Sequence, residues 1–336
     1  MPHTVTGVDT LRIGVLGAAA ITPAALLKPA REVDGVQVTA VAARDRSRAE
    51  RFAAKHGIAT VAGGYRELLD SGAVDAVYIP LPNGLHGRWT IAAVEAGKHV
   101  LCEKPFTANA AEAAQVAQVA ARAGDRVVME AFHYRYHPLA ARILALLQDG
   151  AVGPIRHVEA HVCFPLPRFS DIRYNLPLAG GALMDAGCYA VHALRTFGPG
   201  RPEVTAARAA THGHAVDRAM TVDLRYPDGA TGRAIGSLWS RRLLDVSLRI
   251  VGDRGTIRVL NFVAPQLYHR LSVRTGAKRF HERVPGRGSY TMQLEAFRAA
   301  VRDGSPVLTD AADAVPTMEI IDAAYRAAGL PVRQPT

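Results

Sequence analysis

From position 11 onward, short apolar runs rich in β-branched residues alternate with stretches whose apolar positions recur every three or four residues. The runs at 11–16, 37–43, 76–80, 99–103 and 127–132 are apolar at nearly every position, which predicts strands buried on both faces. Between them, 23–32, 46–56, 87–96 and 110–123 carry helical periodicity over the length that a right-handed crossover needs. Residues 1–132 are therefore expected to form an α/β unit with a parallel, doubly wound sheet. After Pro138 the pattern shifts to longer strands joined by turn residues. Residues 219–226 lead through Pro227-Asp228-Gly229 into 230–239, and 244–251 turn at Gly252-Asp253-Arg254-Gly255 into 256–260, both of which are hairpin signals. With helices expected at 181–196, 290–302 and 310–328 to cover one face, residues 133–336 form an α+β domain around a mainly antiparallel, open-faced sheet. The uncovered face must be wet or meet a partner, so a homodimer or homotetramer through this sheet is expected.

Composition narrows the class. A chain of 336 residues, 49% hydrophobic and 21% charged, is too apolar to be disordered as its main state. No apolar stretch approaches the ~18–20 residues that cross a bilayer. The start, Met1-Pro2-His3-Thr4, has neither a basic nor an apolar leader pattern, so a cytoplasmic protein without a membrane partner is predicted. The net charge of +10 would suit a nucleic-acid partner. Its distribution argues against one: basic residues stand singly or in pairs, as at Arg44, Arg46, Arg48, Arg51 and Arg241-Arg242, without interleaved aromatics or a helix-turn-helix. Cys102, Cys163 and Cys188 have no Cys-x-x-Cys spacing and predict neither a disulfide framework nor a zinc ribbon. His133, His137 and His161 lack a metal-ligand spacing, and no metal is assigned.

The first strand runs into Gly14-Val15-Leu16-Gly17-Ala18-Ala19-Ala20-Ile21, with a helix opening near Thr22-Pro23. Small residues let the backbone approach a pyrophosphate, and the helix N-terminus presents free N–H groups to its charge. Val15 stands where the usual Gly-x-Gly-x-x-Gly/Ala fingerprint has its first glycine, while Gly17 and Ala20 fill the other two places. Strand two ends Ala42-Ala43-Arg44-Asp45. An acid at the tip would bond the ribose diol of NAD; an Arg there pairs with the 2′-phosphate of NADP, which favours NADP over NAD. The alternative is a solvated Arg44 with Asp45 capping the next helix.

The fourth strand is followed by Pro80-Leu81-Pro82-Asn83-Gly84-Leu85-His86, and the fifth ends in Cys102-Glu103-Lys104-Pro105. Both lie at carboxyl ends of parallel strands, where doubly wound sheets bind ligands. The cofactor-binding candidates are thus Gly17, Ala18, Ala19, Ala20, Ile21, Arg44, Pro80, Leu81, Asn83, His86, Glu103 and Lys104. For Asn83 and His86, capping of the next helix is an equal alternative. The Glu-Lys-Pro tripeptide, the Asn83 and His86 pair, Arg135-Tyr136-His137-Pro138 and Gly180-Gly181-Ala182-Leu183-Met184-Asp185-Ala186-Gly187-Cys188-Tyr189 together resemble the Gfo/Idh/MocA family of NAD(P)-dependent oxidoreductases. Many of its members carry Asp-x-Gly-x-His-x-x-Asp where this chain has Asp185-x-Gly187-x-Tyr189-x-x-His192. Tyr in place of that His, with Asp171-Ile172-Arg173-Tyr174, is similar to the glucose–fructose oxidoreductase, xylose dehydrogenase and dihydrodiol dehydrogenase branch. The resemblance implies a Rossmann domain, Tyr189 as acid/base, and a sugar or cyclic diol as small-molecule substrate, with NADP.

The residues support the same chemistry on their own terms. Asp185, Tyr189 and His192, spaced i, i+4, i+7, share one helix face beside Cys188. Such a stripe usually faces water, but the flanking residues are small and apolar and include no Lys or Glu, which points to a buried helix. Oxidising a carbinol requires loss of the hydroxyl proton, and the reverse reduction needs one returned. Tyr189 is the proposed acid/base and Lys104 the cation that would favour phenolate. Asp185 and His192 contact or orient substrate. Phe132, Tyr136, Arg173, Tyr174 and Trp239 line the pocket or belong to the core. The other functional class open to the chain is a non-catalytic dinucleotide-binding sensor.

Overall fold

The computed structural model describes residues 10–213 and 215–336. The chain order of the first half is β1 (Leu11–Leu16), a π-helical turn Pro23–Leu27 continuing as α1 (Lys28–Ala30), β2 (Val36–Ala42), α2 (Arg46–His56), β3 (Thr60–Val61), α3 (Tyr65–Asp70), β4 (Ala76–Ile79), α4 (His86–Glu95), β5 (His99–Cys102), α5 (Ala110–Arg122) and β6 (Val128–Glu130). Its six strands pair in the order β3-β2-β1-β4-β5-β6, all parallel. The order reverses beside β1, so the carboxyl ends of β1 and β4 open a crevice at the switch point. Every residue of β4 and β5 is buried, as the unbroken apolar runs require.

The second half contributes α6 (Pro138–Gln148), β7 (Ile155–Cys163), a π-helical turn Leu183–Gly187 leading into α7 (Cys188–Phe197), β8 (Glu203–His212), β9 (Val216–Arg225), β10 (Thr231–Ser237), β11 (Asp245–Gly252), β12 (Gly255–Leu260), β13 (Arg270–Thr275), β14 (Lys278–Glu282), α8 (Ser289–Asp303) and α9 (Ala311–Ala327). Eight strands pair in the order β14-β13-β12-β11-β7-β10-β9-β8, with only β7 and β10 parallel. Both hairpins expected from their turns are present, as β9-β10 and β11-β12. β7, β8, β13 and β14 gave no such signal. The reason is visible in β14, Lys-Arg-Phe-His-Glu, an edge strand exposed at nearly every position, whose place in the sheet depends on pairing with β13 rather than on burial. α7 covers one face of this sheet; the other exposes Leu260 beside Glu159, His161, Arg249 and Arg258.

One helix lies elsewhere than expected. α8 packs on the first sheet, not the second: Leu294 and Phe297 join Leu11, Ile13, Val15 and Leu26 in one core cluster, and Thr291 Oγ1 donates to Glu32 Oε2 at 2.8 Å. An amphipathic pattern specifies which face of a helix is buried but not which layer buries it. α9 packs on α5 and β8, and its Met318, Ile321 and Ala324 belong to the cluster that joins the two sheets. No helix among the described residues is long and apolar enough to cross a membrane.

Candidate active site

Gly17 ends β1 with φ 112° and donates its N–H to Ala42 O at 2.7 Å, tying the turn to β2. A side chain here is excluded by that φ and by space, since a Cβ would lie 2.9 Å from Leu81 Cδ2. Ala18 is buried, Ala20 and Ile21 are exposed, and the side chains of Ala18, Ala19 and Ala20 leave the backbone open. Thr22 Oγ1 is buried without a partner among the described residues. A cradle that admits no side chain and an orphaned hydroxyl beside a helix start fit a pyrophosphate.

At the tip of β2, Asp45 caps α2, accepting from Arg48 N at 3.2 Å and Ser47 Oγ at 2.8 Å. Arg44 is exposed at the strand end beside Tyr65. The acid is thus engaged by its own helix while the cation is exposed at the strand end, the combination that suits a 2′-phosphate better than a ribose diol. Arg48, which the sequence offered only as one of several scattered basic residues, donates to Ala18 O at 2.8 Å and braces the turn.

Past β4, Pro80 is buried and Leu81 packs against Gly17. Asn83 Nδ2 reaches into the second half and donates to Ala179 O at 3.1 Å. His86 is buried with its two nitrogens 2.7 Å from Pro105 O and from Leu81 O. It joins the loops after β4 and β5 and presents no unengaged nitrogen to a cofactor. Burial pulls its pKa down despite the two carbonyls. Glu103 accepts from Tyr78 Oη at 2.7 Å and from Lys104 N at 3.3 Å, and burial raises its pKa. Tyr78 is a further site residue that its apolar strand concealed.

Lys104 is where the two halves meet. Its Nζ donates to Asp185 O at 2.8 Å, lies 3.6 Å from Asp185 Oδ1, and sits 5.1 Å from the centroid of the Tyr189 ring. Burial pulls the ammonium down, but Asp185 and Glu103 more than restore it, so its pKa ends above the usual lysine value. Arg173 Nε donates to the other Asp185 oxygen at 2.8 Å and its Nη1 to Asp171 at 3.1 Å, giving an alternating row of charges, Lys104, Asp185, Arg173 and Asp171. Tyr189 is 7% exposed, and its hydroxyl has no partner among the described residues. The expected shift towards phenolate is reversed: burial pushes the Tyr189 pKa well above the usual phenol value, and Tyr290, Glu103 and Asp185 nearby push it further the same way.

The i, i+4, i+7 stripe divides in two. His192 is buried, its Nδ1 2.6 Å from Tyr134 Oη and its Nε2 3.2 Å from Asp313 Oδ2, and both nitrogens are engaged away from any substrate. Burial lowers its pKa to about 4, against the pull of Asp313. Its ring stacks on Phe132 at 4.0 Å, and Phe132 meets Tyr189 edge-on at 5.3 Å, so both form the wall behind the tyrosine. Tyr174 Oη donates to Leu166 O at 2.7 Å and its ring packs on Phe169, anchoring a loop. Tyr136 bonds Thr309 at 2.9 Å. Tyr134, Asp313 and Arg195, which complete the wall, carry no sequence motif. Among the described residues no cluster of three His, Cys, Asp or Glu is placed to hold a metal.

A Rossmann cradle whose Lys104 meets Asp185 and Tyr189 from the second half defines a dinucleotide-dependent oxidoreductase. Residues 11–131 match the model of the Gfo/Idh/MocA oxidoreductase family with its NAD-binding Rossmann fold, and residues 140–258 match that family's C-terminal domain. A D-xylose 1-dehydrogenase (NADP(+)) of Haloferax volcanii is 38% identical, over 95% of this chain and 97% of its own. A dTDP-3,4-didehydro-2,6-dideoxy-α-D-glucose 3-reductase of Saccharopolyspora spinosa is 34% identical, over 88% and 89%. The crystal structure of a 3-ketoreductase from Actinomadura kijaniata, in complex with NADP and TDP-benzene, superposes with a TM-score of 0.87 at 29% identity, covering 95% of this chain and 98% of that one. The chain belongs to the Gfo/Idh/MocA family and is an NAD(P)-dependent oxidoreductase.

Proposed function

We propose that this protein is an NADP-dependent oxidoreductase that interconverts an alcohol and a carbonyl on a sugar. The single observation that carries this reading is the Lys104 ammonium held 2.8 Å from Asp185 O beside a Tyr189 hydroxyl that no described residue bonds. A buried donor left open at the mouth of a nucleotide crevice is positioned for a substrate oxygen. The xylose dehydrogenase and ketoreductase relatives support the sugar class and the NADP preference.

Bound NADPH would supply a hydride to the carbonyl carbon, and NADP+ would take one from the carbinol carbon. Gly17 to Ile21 would hold its pyrophosphate and Arg44 its 2′-phosphate. In reduction Tyr189 Oη gives its proton to the substrate oxygen, and its raised pKa keeps that proton in place at neutral pH. In oxidation the same atom takes the hydroxyl proton only after it has lost its own to solvent as phenolate, so the raised pKa favours the reductive direction. Lys104 stabilises charge developing on that oxygen with the N–H groups not directed to Asp185, while Arg173 and Asp185 set its position. His192 and Phe132 hold the Tyr189 ring rather than touch substrate. In this reading residues 1–132 bind the nucleotide, 133–336 shape the sugar pocket, and the open face of the second sheet joins copies of the chain.

The test is turnover of purified protein with NADP+ or NAD+ against D-xylose, other aldoses and a cyclic trans-diol, and with NADPH against ketosugars. Turnover of a sugar, faster with NADP(H), is expected. Nucleotide binding without turnover of any of these substrates would overturn the proposal in favour of a sensor.

A further inference from the structure

Arg333 heads the fully buried side chains by volume, at 0% exposure, and its partner Asp217 is equally buried. Fully buried arginines occur almost only as paired groups, and a buried ion pair stabilises a fold little better than apolar residues of the same volume. The placement of this pair suggests another purpose. Arg333 Nη2 donates to Asp217 Oδ1 at 2.7 Å, and its Nε donates to Gly180 O at 2.7 Å. The other oxygen, Asp217 Oδ2, accepts Leu183 N at 2.6 Å, and Tyr325 Oη donates to Oδ1 at 3.0 Å. One ion pair therefore grips both ends of the segment Gly180 to Leu183. The fit leaves no slack: Gly181 has φ 148°, and a Cβ there would meet Asp217, Tyr325 and Arg333. Leu183 opens the π-helical turn whose Asp185 carbonyl receives Lys104, and Tyr189 stands on the next turn.

The same residue reaches the other half of the site. Arg333 O accepts Asn109 Nδ2 at 2.8 Å, and Asn109 caps α5, which closes the loop that begins at Lys104. Through its guanidinium Arg333 holds the segment carrying Asp185 and Tyr189; through its carbonyl it holds the loop carrying Lys104.

We propose that Arg333, acting through Asp217 and the Gly180 carbonyl, is a positioning residue that sets the register of Tyr189 against Lys104. It touches neither cofactor nor substrate, and the proposal rests on the reading of Tyr189 and Lys104 given above. Arg333→Lys keeps the charge for Asp217 but cannot bond Asp217 and Gly180 in the same planar geometry. Arg333→Met, made together with Asp217→Asn so that no carboxylate is left buried without its cation, fills the volume without charge.

The experiment compares both variants and Tyr189→Phe with the wild type. It reads thermal unfolding, NADPH dissociation constant, kcat, KM, and the isotope effect on kcat with NADPH deuterated at the transferred position. Expected for the Arg333→Met, Asp217→Asn double variant is a folded protein with NADPH affinity within about twofold, KM within about threefold, kcat lower by about tenfold or more, and a larger isotope effect. Arg333→Lys recovers part of kcat. Folded variants with kcat within about twofold of wild type, or with an unchanged isotope effect, overturn the proposal. Failure of both variants to fold also overturns it, since the pair is then a stability element. Should Tyr189→Phe keep wild-type turnover, the underlying reading fails; should Tyr189→Phe fall while the double variant does not, the positioning role alone fails.

Discussion

Tyr189→Phe separates chemistry from architecture. The tyrosine ring packs against Phe132 at 5.3 Å and Tyr134 at 6.2 Å, and both contacts survive in phenylalanine. The hydroxyl bonds no described residue, so removing it deletes no intramolecular hydrogen bond, and stability should change by no more than about 0.5 kcal/mol. Turnover should fall by about 10²–10⁴, the usual contribution of a positioned general acid or base. That is about 2.7–5.4 kcal/mol of transition-state stabilisation, several times any stability change. The assay is steady-state loss of nicotinamide absorbance with a ketosugar, run beside thermal melts of the same preparations. The pH profile sharpens it. Burial raises the Tyr189 pKa above the phenol value near ~10, so its acid form persists below that pH, and wild-type reduction should not decline through loss of this proton between about pH 6 and 9. Turnover of the variant within about threefold of wild type would refute the assignment. So would a large fall in melting temperature, because the hydroxyl would then be a structural bond.

Arg44→Ala should weaken NADPH binding by about 10- to 100-fold, the scale of one charged hydrogen bond, while NADH binding stays within about twofold. Titration of nicotinamide fluorescence checks this, and equal losses for both nucleotides would remove the 2′-phosphate assignment. Glu130→Gln should raise the melting temperature at pH 8 but not at pH 5. The Glu130 carboxyl is buried with only the Phe106 backbone to satisfy it among the described residues, and burial raises its pKa to about 8. The unfolded acid titrates near ~4.3, so the stability tied to its proton is fully present below that pH and is lost as pH rises towards about 8. Melts that coincide at both pH values would show that this carboxyl does not titrate on folding.

Local sequence determined the strands and crossover helices of the first sheet and the two tight hairpins of the second, and it singled out the candidate cofactor turns at their ends. Buried parallel strands need unbroken apolar runs, hairpins need turn residues, and a pyrophosphate turn needs a residue such as Gly17 at φ 112°; each requirement acts over a few neighbouring positions and so is legible in one dimension. Glu103-Lys104-Pro105 and Tyr189 were visible in the same way. Tertiary structure alone decided which long-range partners each side chain has. His192 looked like a substrate ligand because it shares a helix face with Tyr189, yet Tyr134 and Asp313, 58 positions before it and 121 after it in the chain, take both its nitrogens. The phenol was expected to ionise beside a lysine, yet desolvation, with Glu103 and Asp185 adding negative charge nearby, pushes its pKa the other way. α8 joined the first sheet, and Arg333 joined Asp217 116 residues away, with no motif to announce either. Burial and pairing depend on what the whole fold brings alongside a residue, and a periodic pattern records only that a face will be buried, not the partner that will bury it.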